Sequence, residues 1–315
     1  MIDFCGENGY NGVGSECSIR EADMNSCYLK AYAKINLGLD VLGVRDDGYH
    51  EVRMIMQTIN LYDRLYIKKI EKNAIIIKTN KSFLPVNESN IIYKAAALMR
   101  ETYGLTSGLF VDLKKHIPVA AGMAGGSADA AATLVGINKM FDLDLPMNRL
   151  MELGVTIGAD VPYCIMRGTA LAENIGEKLT RLDPMPECFV LVAKPPMNVS
   201  TKTVYGRLDM RALTHPDIDG MIRSLQQGDL TGITERMGNV LETVTQTEYP
   251  LIGEYKDTLR SLGAENALMS GSGPTVFAIF RERDKGEEAA EEFKKRYRSA
   301  RVYLTRPFNL RKASR

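Results

Sequence analysis

The sequence lacks the features that mark membrane-spanning, secreted and nucleic-acid-binding proteins. Its 40 Lys and Arg balance 39 Asp and Glu, so no excess charge favours nucleic acid or an anionic membrane as a partner. Its apolar runs, such as 189–193, are far shorter than the roughly 20 residues that span a bilayer. The first residues resemble no secretory signal, because a basic start and an apolar core are missing. We therefore expect a cytoplasmic protein with neither a nucleic-acid nor a membrane partner.

Cysteine and histidine are too scarce and too scattered for a zinc site. The chain has 5 Cys, with no CxxC pair, and 3 His that lie far apart. An odd number of cysteines favours reduced thiols in a reducing compartment over a disulfide framework. No metal ligands are predicted. The residues concerned are Cys5, Cys17, Cys27, Cys164, Cys188, His50, His116 and His215.

Length and composition predict a globular chain of about two domains. The 315 residues exceed one comfortable core, and the contents of 45% hydrophobic and 25% charged residues are ordinary for globular proteins. Residues 1–27 alternate Gly with Asn and Ser and have no apolar period, so we expect a flexible extension. Asp183-Pro184-Met185-Pro186 has the composition of a linker. We therefore predict one domain over 28–185 and a second over 186–315.

Strands and helices are mixed without a regular βαβ repeat, which predicts an α+β fold. The first strand has Ala33, Ile35, Leu37, Leu39 and Val41 at period two, so we expect all five on one face. Helix formers follow Ser89 or Asn90, either of which could cap. Further strands are predicted over 54–59, 65–69, 74–78, 109–113, 188–193, 266–270, 275–280 and 301–304, and helices over 90–99, 127–140, 147–157 and 287–299.

A glycine-rich loop between a predicted strand and a predicted helix is the strongest chemical signal. Glycines let backbone N–H groups turn toward one point, and the helix N-terminus adds further donors, so such a loop can bind phosphate. It is neither a Walker A loop nor GxGxxG, so a dinucleotide site is unsupported. Alone, it could equally be a tight strand-to-helix turn. Its residues are Pro118, Val119, Ala120, Ala121, Gly122, Met123, Ala124, Gly125, Gly126, Ser127, Ala128 and Asp129.

Two other segments complete a pattern of three. Lys34 and Asn36 are two residues apart on a predicted strand and therefore share a side of it. Gly271-Ser272-Gly273-Pro274 is a second glycine-rich reversal, between two predicted strands. In order and spacing these segments and the central loop resemble the GHMP kinase superfamily, which includes galacto-, homoserine, mevalonate and phosphomevalonate kinases.

Further motifs resemble one branch of that superfamily, whose members phosphorylate 4-diphosphocytidyl-2-C-methyl-D-erythritol. They are Ala33–Leu37, Asp47–His50, Gly158–Pro162, Gly168–Ala170 with Gly176-Glu177, and Ser270–Pro274. The resemblance covers residues 28 to 305. It implies an N-terminal domain like domain 2 of ribosomal protein S5 and a ferredoxin-like C-terminal domain. It also implies transfer of the γ-phosphate of ATP to the 2-hydroxyl of that substrate, in the non-mevalonate route to isoprenoid precursors.

The resemblance assigns the catalytic roles to Lys34 and Asp160. A carboxylate beside an alcohol can accept its proton during attack on phosphorus, and a lysine can neutralise charge on the transferring group. Without the other motifs, a helix-capping Asp160 and a solvated Lys34 would be the simpler interpretations.

The remaining site residues also follow from the resemblance. It implies that Asn36 orients the acceptor alcohol or a phosphate, that Tyr49 stacks on the cytosine ring and that His50 hydrogen-bonds its edge. It also implies that Thr201 supplies a hydroxyl and that Tyr205 stacks on the opposite side of the ring. ATP is expected on the loop 118–129, with Lys115 and Asn90 near the adenosine. Mg²⁺ is expected to screen the phosphates. Met123, Ala124 and Ala128 depart from the residues common in the family loop, and Ala128 removes a hydroxyl.

Three alternatives remain at this point. Another superfamily kinase, of homoserine or mevalonate type, would share the loop but would not need Tyr49, His50 and Tyr205 as base readers. A non-catalytic sensor on the same fold is disfavoured by the presence of Lys34 and Asp160. RNA binding is disfavoured by the neutral charge. The expected partner is a small-molecule substrate, and the expected state a monomer or weak homodimer.

Overall fold

A computed structural model describes residues 25–310 of the chain, which form two β-sheets and the helices around them. The strands are β1 (Ser26–Val44), β2 (His50–Ile70), β3 (Ile75–Thr79), β4 (Gly108–Lys114), β5 (Thr169–Asn174), β6 (Lys178–Arg181), β7 (Phe189–Lys194), β8 (Gly238–Asn239), β9 (Asn266–Met269), β10 (Val276–Phe280) and β11 (Arg301–Thr305). The helices are α1 (Ile91–Tyr103), α2 (Gly125–Met140), α3 (Met147–Val155), α4 (Val161–Met166), α5 (Thr201–Gly206), α6 (Ile218–Gln227), α7 (Leu230–Glu235), α8 (Glu242–Glu248), α9 (Leu251–Ser261) and α10 (Arg283–Arg296), with a 3₁₀ turn at Met210–Ala212.

The first sheet is built on the long antiparallel pair β1 and β2. Its order is β3-β4-β2-β1-β8, and β5 pairs with β2 and with β6. Three irregularities interrupt the register of β1 with β2, between Tyr32 and Lys34, between Asn36 and Gly38 and between Val41 and Gly43. A β-bulge of this kind bends a strand and redirects its side chains. The first two flank Lys34 and Asn36, both of which the sequence analysis places in the site.

The second irregularity corrects one prediction. Leu37 is an extra residue between the pairs Asn36–Met56 and Gly38–Ile55. Because one inserted residue exchanges the two faces of a strand, the five apolar residues of β1 do not share a face. Ala33, Ile35 and Leu37 pack in one hydrophobic cluster with Phe277 of β10, whereas Leu39 and Val41 pack in another. The prediction of a single apolar face over 33–41 was wrong.

The second sheet is antiparallel, with the order β11-β7-β10-β9. Helices α9 and α10 pack against it and against each other, with Tyr255 and Phe293 edge to face at 4.8 Å. The chain also returns to the first sheet at two points. Strand β8 runs parallel to β1, and after β11 Phe308 stacks on Tyr32 at 4.4 Å. The two sheets are therefore joined by more than the segment 183–186, and the domain boundary placed there stays a prediction.

Helix α2 carries the small residues that permit close packing on the first sheet. A Cβ at Gly136 would lie 2.7 Å from Leu29 Cδ1 and 3.0 Å from Ile67 Cδ1. Ala130 and Ala131 are likewise buried. Because α2 also packs against α1 and α4, small residues are needed on several of its sides, and this packing fixes the direction in which the helix N-terminus points.

The predicted strands and helices occur in the structure with bounds shifted by one to four residues, and two of the differences have a clear physical cause. The segments 54–59 and 65–69 belong to one unbroken strand, β2, because the residues between them pair with β1. The helix predicted over 287–299 runs from Arg283 to Arg296, since Tyr297 closes it by donating its N–H to Phe293. Of the predicted extension 1–27, Ser26 and Cys27 already belong to β1, and residues 1–24 lie outside the described residues.

Candidate active site

The glycine-rich loop has a backbone conformation that few side chains adopt. Ala120, Gly122 and Ala124 have φ values of 50°, 68° and 53°, in the left-handed region. For the two alanines this costs of the order of 1–3 kcal/mol each, a strain that tends to occur at functional sites. Ala124 is the N-cap of α2 and offers no side-chain cap. The N–H groups of the first turn therefore remain available for an anion, as does the positive end of the helix dipole.

The second glycine-rich turn lies directly behind this loop. A Cβ at Gly122 would lie 2.1 Å from the carbonyl oxygen of Ser270, so the close approach requires glycine. The Ser270 hydroxyl donates to the Gly122 carbonyl at 2.9 Å. On the other side, the N–H of Lys34 donates to the Met123 carbonyl at 3.2 Å. Strand β1, the loop and the turn thus converge on one place.

Lys34, Asn36 and Asp160 form a charged group at this place. Lys34 Nζ donates to Asn36 Oδ1 at 2.7 Å and lies 3.8 Å from Asp160 Oδ2. Lys34 is only 5% exposed and Asn36 is fully buried, while the Asp160 side chain keeps 31% of its surface in solvent. Asp160 precedes α4 but makes no capping hydrogen bond. The simpler interpretations of the two charged residues therefore fail: the lysine is buried and the aspartate is not a cap.

One cavity of about 1250 Å³ is lined by Lys34 and Asp160 and by most of the predicted site, whereas Asn36 is fully buried beside Lys34 and does not line it. Its walls include Lys34, Asp160, Tyr49, His50, Thr201, Tyr205, Asn90, Lys115, Pro118, Val119, Ala120, Ala121, Gly122, Ala124, Gly125, Gly126, Ser127 and Asp129. Met123 and Ala128 do not line it, because their side chains pack in the hydrophobic core. Sequence reasoning missed Leu84, Pro85, Ile91, Leu113, Gly271 and Ser272, which also line it. Only the last two lay within a motif that the sequence singled out.

The predicted base-recognition residues gather at the cavity wall. The rings of His50 and Tyr205 lie 5.0 Å apart, and Tyr49 is 61% exposed. The N–H of Tyr49 donates to Asp47 Oδ1 at 3.0 Å, which fixes the turn that carries it. Burial lowers the pKa of His50, so its ring is neutral at pH 7 and presents one donor and one acceptor. Burial also raises the pKa of Tyr205, which therefore keeps its proton.

Thr201 reaches the site from the second half of the chain. Its hydroxyl lies 2.8 Å from that of Ser272, in the turn behind the phosphate loop. Ser200 caps α5 by accepting the N–H of Thr203 at 3.3 Å, which holds Thr201 at the start of the helix. The two halves of the chain thus share one wall of the cavity.

A buried charge cluster anchors the phosphate loop from below. Lys115 Nζ donates to Asp129 Oδ2 at 2.6 Å and to Asp63 Oδ2. Asp63 Oδ1 in turn accepts the N–H groups of His116 and Ile117, the latter at 2.9 Å. Asp63 has no exposed surface, and the two partners are at most 4% exposed. The cluster therefore ties strand β2 to both ends of the loop.

The charges of the cluster compensate each other incompletely. Burial raises the pKa of Asp129 well above its usual range, and Lys115 offsets only part of that rise. For Lys115 burial lowers the pKa, but the carboxylates of Asp129 and Asp63 outweigh it, so the ammonium is retained. Sequence reasoning missed Asp63, because β2 carries several other charged residues and the sequence does not show which of them is buried.

Asn90, one of the two predicted caps, is the residue that caps α1. Its side-chain oxygen accepts the N–H of Ile92 at 2.8 Å and caps α1. Its amide nitrogen donates to the Pro85 carbonyl at 2.6 Å. The same residue therefore shapes the wall formed by residues 84–91, whether or not it also touches a ligand.

Metal, disulfide and membrane signals were sought within residues 25–310. That span contains no group of three or more His, Cys, Asp or Glu side chains that could hold a metal ion. In the same span no disulfide involves Cys164 or Cys188, both of which are buried. None of the helices described there is long and apolar enough to cross a membrane. Cys5 and Cys17 lie outside it.

Comparisons with known proteins agree with this geometry. The family model for the GHMP kinases N terminal domain matches residues 90–168, and that for the GHMP kinases C terminal domain matches residues 221–299. A 4-diphosphocytidyl-2-C-methyl-D-erythritol kinase of Lachnospira eligens is 58% identical over 90% of this chain and 99% of its own. The protein of that name from Lachnoclostridium phytofermentans is 53% identical over 90% and 98%.

Solved structures share the fold. A crystal structure of a 4-(cytidine 5'-diphospho)-2C-methyl-D-erythritol kinase superposes with a TM-score of 0.77 at 29% identity, over 90% of this chain and all of its own. A homoserine kinase from Cytophaga hutchinsonii gives a TM-score of 0.70 at 18% identity, over 95% and 97%, which shows the fold alone.

The fold and the phosphate loop beside a buried lysine thus define a small-molecule kinase of the GHMP superfamily, as the resemblance implied. Within that superfamily the chain belongs to the family of 4-diphosphocytidyl-2-C-methyl-D-erythritol kinases.

The buried cluster generates a prediction for stability. Lys115→Met leaves two buried carboxylates without their cation and should lower the free energy of unfolding by about 3–5 kcal/mol at pH 7. The loss should shrink as the pH falls, because uncompensated buried carboxylates have raised pKa values in the folded state and take up protons there first. Denaturant unfolding at several pH values measures both.

The neighbouring lysine is a matched control. Lys114 pairs with Asp112 at 3.1 Å, but its side chain is 47% exposed. Lys114→Met should therefore change the free energy of unfolding by no more than about 1 kcal/mol. Equal losses for the two variants would mean that the cluster is not an anchor.

Proposed function

We propose that this kinase transfers the γ-phosphoryl group of ATP to the 2-hydroxyl of 4-diphosphocytidyl-2-C-methyl-D-erythritol. The observation that carries the proposal is the contact of Lys34 with Asp160 at 3.8 Å, in a cavity that the phosphate loop also lines. The names of the family members support the acceptor. The product would enter the route to isoprenoid precursors.

In the proposed reaction Asp160 acts as the general base. Its partly exposed carboxylate accepts the proton of the acceptor hydroxyl as that oxygen bonds to the γ-phosphorus and the bond to the bridging oxygen of ADP breaks. Lys34, held against Asn36, stabilises the negative charge on the transferring group. Burial strengthens that stabilisation, because the ammonium is poorly screened by water.

The phosphate loop fits the ATP phosphates. Its backbone N–H groups and the uncapped N-terminus of the 16-residue α2 supply donors, and Ser127 adds a hydroxyl. The apolar wall with Leu84, Pro85 and Ile91 is suited to a purine. Mg²⁺ remains a prediction. No protein ligand cluster for it occurs within residues 25–310, so the phosphates themselves would supply its oxygen ligands.

The cytosine of the acceptor is proposed to bind at Tyr49, His50 and Tyr205. An exposed aromatic ring can stack on a base, and a neutral histidine can hydrogen-bond its edge. The Thr201 hydroxyl would bind a polar group of the same acceptor. A homoserine- or mevalonate-type kinase has no need of these rings. Monomeric or weakly dimeric state and cytoplasmic localisation also remain predictions.

The first experiment measures ADP release with MgATP and four separate acceptors. Turnover is expected with 4-diphosphocytidyl-2-C-methyl-D-erythritol and not with mevalonate, homoserine or galactose. Turnover with one of the other three alone would retain the kinase chemistry and discard the cytosine site. Tight ATP binding with no turnover on any acceptor would instead favour a sensor.

Asp160→Asn tests the base. We expect kcat to fall by about 10²–10⁴ with both KM values nearly unchanged, because the amide cannot accept the proton but keeps the shape. Asp217→Asn is the matched control: Asp217 also stands at a helix N-cap and accepts the N–H of Gly220 at 2.8 Å, a role that Asn retains. Near-normal kcat in Asp160→Asn would exclude Asp160 as the base.

His50→Ala tests base recognition. Loss of one hydrogen bond to the cytosine should raise the KM of the acceptor by about tenfold and leave kcat and the KM of ATP nearly unchanged. His116→Ala serves as the control, because that ring is exposed and bonds only the Lys114 carbonyl. An acceptor KM that His50→Ala does not move would contradict the assignment.

A further inference from the structure

Asn239 lies at the junction of the two sheets. It is one of the two residues of β8, which extends the first sheet beside Gly38 and Leu39 of β1. Only 7% of it is exposed. The short strand brings this amide next to the strand that carries Lys34 and Asn36.

The side-chain amide of Asn239 forms hydrogen bonds through both its nitrogen and its oxygen. Asn239 Nδ2 donates to the carbonyls of Met269 and Gly271, both at 2.8 Å. Asn239 Oδ1 accepts the N–H of Leu241 at 3.0 Å. The two acceptor carbonyls flank Ser270, so one side chain fixes the start of the second glycine-rich turn.

That turn is the support of the phosphate loop. Ser270 bonds the Gly122 carbonyl at 2.9 Å, and a Cβ on Gly271 would lie 3.2 Å from the same oxygen. Ser272, one residue further, lies 2.8 Å from the Thr201 hydroxyl. A shift of the turn would therefore disturb the phosphate loop directly at Gly122. Of the residues proposed to bind the acceptor, Thr201 contacts the turn through Ser272, whereas Tyr49 and His50 belong to the first sheet and the turn before β2.

We propose that Asn239 is a positioning residue for the phosphate loop, acting through the Ser270–Pro274 turn. The inference rests on the proposed function, because it assigns the loop to ATP. Asn239 touches neither substrate in this scheme. Its effect belongs to the binding and alignment of ATP, and it should leave recognition of the acceptor base largely intact.

Asn239→Asp gives the sharpest test, because it keeps the size of the side chain and replaces the N–H donors of the amide with a carboxylate oxygen that can only accept. An ionised carboxylate would face two carbonyl oxygens, so we expect a KM for ATP raised by about tenfold to a hundredfold and a lower kcat at pH 8. The acceptor KM should change by less than about threefold. Burial against carbonyls raises the pKa of the new carboxyl, and its protonated form restores one donor.

The pH profile separates positioning from general damage to the fold. As the pH falls from 8 to 6, the ratio of variant to wild-type kcat/KM for ATP should rise several-fold; taking the ratio removes any pH dependence that the two enzymes share. A flat ratio, or equal changes in the two KM values, would overturn the proposal. So would an unchanged KM for ATP.

Asn138→Asp is the matched control. Its amide donates to the Leu145 carbonyl at 3.2 Å and accepts the Leu145 N–H at 3.0 Å, near the C-terminal end of α2 and about 20 Å from the loop. We expect its KM for ATP to equal that of wild type at every pH. Asn239→Ala provides a second variant, with a raised KM for ATP and no dependence of the ratio on pH.

Binding of MgATP without any acceptor distinguishes a failure of the proposed function from a failure of the inference about Asn239. If wild type binds MgATP but phosphorylates none of the acceptors, the proposed function fails. The inference is then judged by the Kd of MgATP for Asn239→Asp, which should be weakened at pH 8 and recover at pH 6. An unaltered Kd would refute it in that case too.

Discussion

The contact on which the site depends is the close approach of two glycine-containing backbone segments, at Gly122 and at Ser270. A side chain at Gly122 would lie within 2.1 Å of a carbonyl oxygen, so the approach exists only because the residue is glycine. The contact joins the first sheet, through the loop before α2, to the second sheet, through the turn between β9 and β10. It brings the two sheets together at one cavity wall, and the proposed phosphate-binding site depends on it.

Two buried lysines near this contact differ in how far neighbouring carboxylates compensate their charge. Lys115 is saturated by two buried carboxylates and cannot give up its position without exposing charge to the core. Lys34 is also buried, but its partners are the neutral amide of Asn36 and a more distant, partly exposed Asp160. Its charge is therefore less compensated and can stabilise an incoming phosphoryl group. Local charge compensation, more than exposure, distinguishes Lys115 from Lys34, for which we propose the catalytic role.

The sequence predicted what depends on local pattern and failed where distant residues decide. The loop 118–129, the pairing of Lys34 with Asn36 and the start of α1 after Asn90 follow from spacing and turn chemistry, and the family resemblance added Asp160. The bulge at Leu37 could not be predicted, because it depends on the register with β2. Asp63 gave no usable signal, since its partners are 52 to 66 residues away in the sequence.

Asn239 is another residue whose role could not be predicted, because its partners are distant in the sequence. Two of its three hydrogen bonds join a two-residue strand to a turn about 30 residues further on, and no short sequence motif predicts such a pairing. The boundary proposed at 183–186 shows that a local pattern can also be too little to define a domain. A linker composition marks where a chain can bend, but β8 and Phe308 show that the chain crosses between the sheets again after it.

The division of labour within the site explains how one fold can accept different alcohols. A homoserine kinase shares the fold with a TM-score of 0.70 at only 18% identity, so the architecture itself does not select the acceptor. In this chain Lys34 lies on a long paired strand and the phosphate loop is fixed from two sides, whereas Tyr49 follows a turn and Thr201 begins a short helix. With the roles proposed above, rigid elements hold the groups that every phosphoryl transfer needs, and more exposed segments hold those that would meet a particular substrate. A change of acceptor would then require changes in the turn 45–49 and in α5, without disturbing the contact at Gly122.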